Sequence, residues 1–292
     1  MRRRNQTIKK LENDVEEWER VLWKRQPFPD NFVSKSFFRV HTKCIKINFS
    51  QALYGSVLVT QEICSCVALV VIFLSLSAEQ LNAFLILLLT GVFSLIGYVI
   101  MRASKIFSDG NLEILLDELK TALFVVVLSW FSSPIIKTLT ASVSTDTIHA
   151  CTISLLLLHL IFHPYGAVVA IVKPTMSHNL GLFAAVCLAS RLSNNLDVFA
   201  LVIVAIGLFS LFPNFRFHCQ ETYGKATCLL LSTIVIFACI FGLIFHAIFL
   251  LPILVLSIVF VNVLSPLLFI YFQSYRKNIY GPWDEAMINE KS

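Results

Sequence analysis

From Ala226 to Phe272 the chain reads ATCLLLSTIVIFACIFGLIFHAIFLLPILVLSIVFVNVLSPLLFIYF, without one Asp, Glu, Lys or Arg. A helix crosses a bilayer with about 20 largely apolar residues. This stretch therefore holds two crossings, 226–247 and 250–272, with almost no loop between them and Pro252 near the turn: a tight helical hairpin. Working back toward the N-terminus, the same reading predicts six more spans at 56–76, 82–101, 118–136, 148–163, 174–190 and 196–213. The fold class is all-α, a multi-pass transmembrane helical bundle of about eight spanning helices. The third span begins amphipathic, with Asp117, Glu118 and Lys120. The fourth and fifth are short and interrupted by Pro164, Lys173, Pro174 and His178. Polar backbone at membrane depth must be covered by protein, so tilted, broken or re-entrant segments are expected there. No internal repeat is visible, which gives an inverted-repeat transporter no support.

Composition agrees. Of 292 residues, 57% are hydrophobic and 14% charged, and the mean hydropathy is +0.78. An average soluble domain is about 25% charged. A chain this apolar cannot clothe itself in polar surface, which excludes a soluble globular enzyme, a disordered regulator and, despite the net charge of +5, a nucleic-acid binder. The charge is concentrated at the front: residues 1–49 carry twelve of the 23 Lys and Arg, and the rest is near neutral. The chain divides into a basic N-terminal segment (1–50), a membrane body (51–275) and a C-terminal tail (276–292). Within the first segment Leu11, Val15, Trp18 and Leu22 recur at the spacing of an amphipathic helix, which Pro27 and Pro29 end. The front is too polar for a cleaved signal peptide, so the first span serves as an uncleaved signal-anchor. With a cytosolic N-terminus, Arg102, Lys105, Lys173, Arg216, Lys225, Arg276 and Lys277 fall on cytosolic loops and only Lys137 and Arg191 opposite. The positive-inside rule favours this arrangement, with both termini cytosolic. The sequons at Asn5 and Asn48 then stay unmodified.

Few residues offer chemistry. The cysteines inside apolar runs (Cys64, Cys66, Cys151, Cys187, Cys228, Cys239) read as free thiols acting as small hydrophobes, and no CxxC pair points to zinc. The segment Lys137–Thr147 is rich in hydroxyls, with Lys137 and Asp146 its two charges; it reads as a polar loop that caps two helices or as a contact for head groups or a partner. Trp23-Lys24-Arg25 reads equally as a solvated linker and as a docking element. His159 and His163 share one helix face, but the HExxH glutamate is missing and no third ligand is obvious, so no metal is expected. Glu62 lies inside the first span, where a charge is costly. Arg191 ends the fifth span, placed to snorkel. Neither a Gly-rich phosphate loop nor a DxD pair occurs, and too little chain lies outside the spans for a soluble catalytic domain. No catalytic residue and no cofactor is assigned.

Several blocks, in order over nearly the whole chain, are familiar: Val21-Leu-Trp-Lys-Arg-Gln-Pro-Phe-Pro-Asp-Asn-Phe32, Ser94-Leu-Ile-Gly-Tyr-Val99, Ser133-Pro-Ile-Ile-Lys-Thr-Leu-Thr-Ala-Ser-Val-Ser-Thr-Asp-Thr-Ile148, His159-Leu-Ile-Phe162, Tyr165-Gly-Ala167, Val186-Cys-Leu-Ala-Ser-Arg-Leu192 and Asn278-Ile-Tyr-Gly-Pro-Trp-Asp-Glu-Ala286. They resemble the PIG-C family, whose members are subunits of the phosphatidylinositol N-acetylglucosaminyltransferase complex. The loop Ile106-Phe-Ser-Asp-Gly-Asn111 departs from the family, which often has several Gly there. The resemblance implies a multi-pass protein of the endoplasmic reticulum membrane. Its complex transfers GlcNAc from UDP-GlcNAc to phosphatidylinositol on the cytosolic face, the first step of GPI-anchor synthesis. It also implies a separate catalytic subunit, PIG-A, and PIG-H, PIG-P, PIG-Q and PIG-Y as further partners. On this reading the chain is a non-catalytic scaffold that helps present the lipid. Its candidate contacts with lipid or partners are Trp23, Lys24, Arg25, Lys137, Asp146, Arg191, Trp283 and Asp284. Two other readings stand beside it. A transporter or scramblase would line a path with Glu62, Lys137, Asp146, His159 and Lys173, although these lie near helix ends. A membrane-embedded acyltransferase would use His159 and Asn179.

Overall fold

A computed structural model of the chain describes Arg25 and residues 41–42, 47–105, 112–140, 142–165, 174–273, 275 and 279–280. The contacts divide it into two units, residues 1–46 with 272–292 and residues 47–271. In the first unit β1 (His41–Thr42) and β2 (Ile279–Tyr280) form a short antiparallel ladder, with His41 opposite Tyr280. Arg25 is exposed and irregular. Trp23, Lys24, Trp283, Asp284 and the amphipathic helix expected before Pro27 lie outside the described residues.

The second unit is built from apolar helices, one for each predicted span: α1 (Phe49–Ser77), α2 (Ala83–Lys105), α3 (Leu112–Leu139), α4 (Thr145–Phe162), α5 (Pro174–Ala189), α6 (Asn195–Tyr223), α7 (Lys225–His246) and α8 (Ile248–Gln273). Seven are long and apolar enough to cross a membrane; α5 falls short at 16 residues. In water-free surroundings a helix satisfies its own backbone polar groups, which is why apolar length becomes helix here. The ends are marked locally. At α1 the Asn48 backbone N–H is held by Gln51 Oε1 at 3.3 Å, the reciprocal half of a capping box. At α4, Ser144 Oγ accepts from the Thr147 N–H. Gly224, at φ +83°, makes the sharp turn from α6 to α7. Ala247 alone separates α7 from the 3₁₀ turn that opens α8, the tight hairpin that the run 226–272 predicts.

α1 is the central helix. More than half of its apolar window is buried, against 6% for the windows of α2 and α8, which turn their side chains outward. Its core side carries Leu69, Phe73 and Leu76 against Ala184, Leu188 and Ala189 of α5 and Val198, Leu201 and Ala205 of α6. Small residues on α5 and α6 let the backbones approach, the packing that holds helices together when surroundings and side chains are equally apolar. The cysteines follow the expectation for free thiols: Cys64, Cys66, Cys187, Cys228 and Cys239 are buried, while Cys151 faces outward.

One boundary departs from expectation. The sixth span does not stop at Pro213 but runs on to Tyr223. A π turn over Gly207–Leu211 widens the helix just ahead of Pro213. Proline ordinarily clashes with the carbonyl four residues back and lacks an N–H to donate. Slipping the hydrogen-bond register to i+5 gives the ring room, so the helix continues. Ten residues read as loop are therefore helix, and two of them, Arg216 and Cys219, are buried.

Candidate functional site: a buried ionic cluster

The third residue past Pro213 is the consequential one. Arg216 is 6% exposed. It points into the bundle, where its Nη1 donates to Glu62 Oε2 at 3.3 Å and to Gln61 Oε1 at 3.2 Å. Its Nη2 donates to His163 Nε2 at 3.0 Å. Glu62, fully buried on α1, receives the cation on one oxygen and His159 Nε2 on the other, at 2.9 Å. Ser177 of α5 closes the cluster. Its carbonyl lies 2.8 Å from His159 Nδ1, and its hydroxyl lies 2.8 Å from the same nitrogen and 3.3 Å from His163 Nδ1. Gln61 extends the network to α7 through the Cys228 carbonyl at 3.3 Å and the Ser232 hydroxyl. Helices α1, α4, α5, α6 and α7 thus meet through one polar knot.

The proton positions follow from the partners. An arginine only donates, so His163 Nε2 accepts and the ring is neutral with its proton on Nδ1, directed at Ser177 Oγ. The unlike charges of Glu62 and Arg216 face each other inside the bundle. A buried ion of this kind costs several kcal/mol to desolvate and is tolerated only when its other hydrogen bonds are also met. Here they are met by Gln61, His159 and His163. The side chains are set by packing around them. The His159 ring stands edge-on to Phe209, centroids 4.7 Å apart, and Phe209 sits in the π turn of α6. Phe209 packs on Gly181 of α5, where an added Cβ would lie 2.8 Å from its Cγ. Pro164 ends α4 directly after His163, leaving that ring free of the helical register.

These positions correct three expectations. Arg216 is no loop cation; it lies inside the bundle. The histidine pair does have a third potential ligand, because Glu62 joins it from a helix about a hundred residues away in sequence. Glu62 and His159 do not lie apart: His159, in the last turn of α4 as its position predicts, meets Glu62 in the middle of α1. The signal that pointed to them is the cost of an ionisable side chain inside an apolar run, which demands a partner. The partner itself was hidden by Pro213.

The residues singled out at the other end of α4 have a different role. The Arg191 guanidinium donates to the carbonyls of Thr140 and Val143, both at 2.8 Å. Lys137 donates to the Ser193 carbonyl. Thr140 Oγ1 donates to Ser190 Oγ at 2.7 Å. Together they tie the α3–α4 turn to the α5–α6 turn, and Asp146 stands exposed in the first turn of α4, where a negative charge suits the helix dipole. At the opposite end of α3, Arg102 of α2 pairs with Glu118 at 2.9 Å, and Tyr98 donates to the same carboxylate at 2.6 Å.

Known proteins resemble this chain along nearly its whole length. The family described as phosphatidylinositol N-acetylglucosaminyltransferase (GPI2) matches residues 18–284. The phosphatidylinositol N-acetylglucosaminyltransferase subunit designated C, from Bos taurus and from Homo sapiens, is in each case 38% identical to it over 283 residues, covering 94% of this chain and 93% of the relative. The GPI2 subunit of Schizosaccharomyces pombe is 28% identical over 298 residues, covering 97% and 90%. No solved structure gives a significant match.

Proposed function

The chain belongs to the PIG-C (GPI2) family of phosphatidylinositol N-acetylglucosaminyltransferase subunits, and on that premise we propose that it is a membrane component of the complex that transfers GlcNAc from UDP-GlcNAc to phosphatidylinositol. This is the first step of GPI-anchor biosynthesis. The observation that carries the proposal is the match over residues 18–284, which spans every helix of the membrane body.

The finer reading is a non-catalytic scaffold in the endoplasmic reticulum membrane, both termini cytosolic, that holds the catalytic subunit PIG-A and the PIG-H, PIG-P, PIG-Q and PIG-Y subunits at the plane of the lipid head groups. Two features support it. The described body is almost entirely membrane-length helix. Its charged cluster also spends its hydrogen bonds internally, as a brace for helices does. Holding a soluble donor's enzyme beside a membrane-bound acceptor removes part of the entropic barrier to reaction. Among the contact candidates, Lys137 and Arg191 are engaged in holding their own turns. Trp23, Lys24, Arg25, Trp283 and Asp284 on the cytosolic ends are therefore the better docking residues.

The test is a tagged pull-down of the full chain from mild detergent, with a UDP-GlcNAc to phosphatidylinositol transfer assay on the eluate and on the chain alone. Activity confined to the eluate that holds a separate glycosyltransferase supports the scaffold. Activity of the pure chain overturns the non-catalytic reading. Lipid or solute movement in liposomes by the chain alone would favour the transporter, whose path residues Glu62 and His159 are here fully buried and paired.

A further inference from the structure

Glu62, His159 and His163 converge as metal ligands do: one ligand atom from each lies within 4.8 Å of the others. Both imidazoles turn Nε2 toward the Glu62 carboxylate, at 2.9 and 3.5 Å, and both turn Nδ1 toward Ser177. That is the pattern of metal-binding histidines, whose far nitrogen is anchored on a carbonyl or hydroxyl so that the near one is aimed. Two histidines and a carboxylate suit zinc, and with open positions ferrous iron. The cation facing two of these ligands, Glu62 and His163, is nevertheless Arg216, while His159 Nε2 stays on the other Glu62 oxygen. Its Nη2 lies 3.0 Å from His163 Nε2, and its Nη1 lies 3.3 Å from Glu62 Oε2. A neutral imidazole has one in-plane lone pair on Nε2, and Arg216 takes it. A divalent ion on the same atoms would touch the guanidinium in a site sealed from water, where like charges are poorly screened.

We propose that Glu62, His159 and His163 form a transition-metal triad whose cation is supplied by the protein itself, as the Arg216 guanidinium. The site holds one cation at a time. With Arg216 in place it rejects divalent metal. With the guanidinium removed it takes one zinc or cobalt ion per chain. The inference rests on the geometry of the cluster and stands whether or not the functional reading above holds.

The test uses the full chain purified in its complex, carrying a tag without histidines. Metal content is measured by elemental analysis after exposure to Zn²⁺ and desalting, and Co²⁺ is followed by its visible absorption. The wild-type chain is expected to retain no stoichiometric zinc. Arg216→Met, which keeps the apolar stem, is expected to bind one ion per chain at least ~100-fold more tightly than wild type, as removal of an adjacent like charge implies. Adding Glu62→Gln to Arg216→Met is expected to abolish that binding. About one metal ion per wild-type chain as purified overturns the proposal. So does an Arg216→Met chain that binds no better than wild type, or binding that survives Glu62→Gln. If Arg216→Met accumulates poorly in cells, Zn²⁺ in the medium is expected to restore it. Equal loss with and without Zn²⁺, for both Arg216→Met and Arg216→Gln, counts against the proposal.

Discussion

Glu62→Gln isolates the charge at the centre of the bundle. Glutamine has nearly the same shape as glutamate, so the substitution opens no cavity and leaves the contacts of His159 with Phe209 and Ser177 in place. It removes the anion that His159 Nε2 meets at 2.9 Å, Arg216 Nη1 at 3.3 Å and His163 Nε2 at 3.5 Å. The guanidinium, 6% exposed, is left inside the bundle with neutral acceptors only. Breaking a buried pair from one side costs about 3–5 kcal/mol, chiefly from the stranded partner. The glutamine oxygen keeps one hydrogen bond to Arg216, which places the expected loss at about 3 kcal/mol, the low end of that range. On the scaling of soluble domains of 150–250 residues, this lowers the melting point by about 6–12 °C. The assay heats the fluorescently tagged full chain, in its complex and in mild detergent with chelator, and follows the surviving peak by size exclusion. Arg216→Gln is measured alongside, together with the double substitution. Once one charge is gone the other is a liability, so the double variant is expected to lose at least about 1 kcal/mol less than the two single losses combined. The reasoning is refuted if Glu62→Gln shifts the midpoint by no more than a degree, or if the single losses add within about 0.5 kcal/mol.

Three further predictions use the same protein. Gly181→Ala brings a Cβ to within 2.8 Å of Phe209 Cγ and is expected to cost about 1–3 kcal/mol by overpacking, whereas Gly91→Ala, with nothing within 4 Å, is expected to cost nothing; both are read on the same thermal assay. Arg191→Ala frees the carbonyls of Thr140 and Val143 and is expected to cost about 1–3 kcal/mol, with protease cleavage in the α3–α4 turn rising before the spans melt; unchanged cleavage would show that the arginine does not hold the turn. On the proposed orientation, with both termini cytosolic, a cysteine replacing Ser142 is expected to resist an impermeant maleimide in sealed microsomes and one replacing Tyr275 to react, and the reverse pattern would overturn that orientation.

The spans could be placed from the order of residues alone. Hydropathy is local and adds along the chain, and a helix in lipid has no other way to satisfy its backbone. Each of the eight apolar runs is accordingly a helix, and the hairpin at 226–272 turns where Pro252 and the absence of a loop said it would. The cap of α4 was also legible, since the hydroxyl-rich Lys137–Thr147 segment offered one and Ser144 supplies it, whereas Arg191, which its position at a span end marked as a snorkelling cation, instead holds the α3–α4 turn. Helix rotation and pairing are not local quantities. Whether Glu62 faces lipid or protein depends on how α1 is turned against α4 and α6, and its partner Arg216 lies 154 residues away. That pairing depends on a π turn that carries α6 through Pro213, on a glycine at 181 that admits Phe209, and on a proline at 164 that releases His163 from its helix. None of these leaves a periodic trace in the sequence. The apolar runs decided that the chain is a membrane bundle of this family's kind. Only the tertiary structure decided that Glu62, His159, His163 and Arg216 form one cluster, because a buried ion is stabilised by the distance to its counterion and not by its neighbours in sequence.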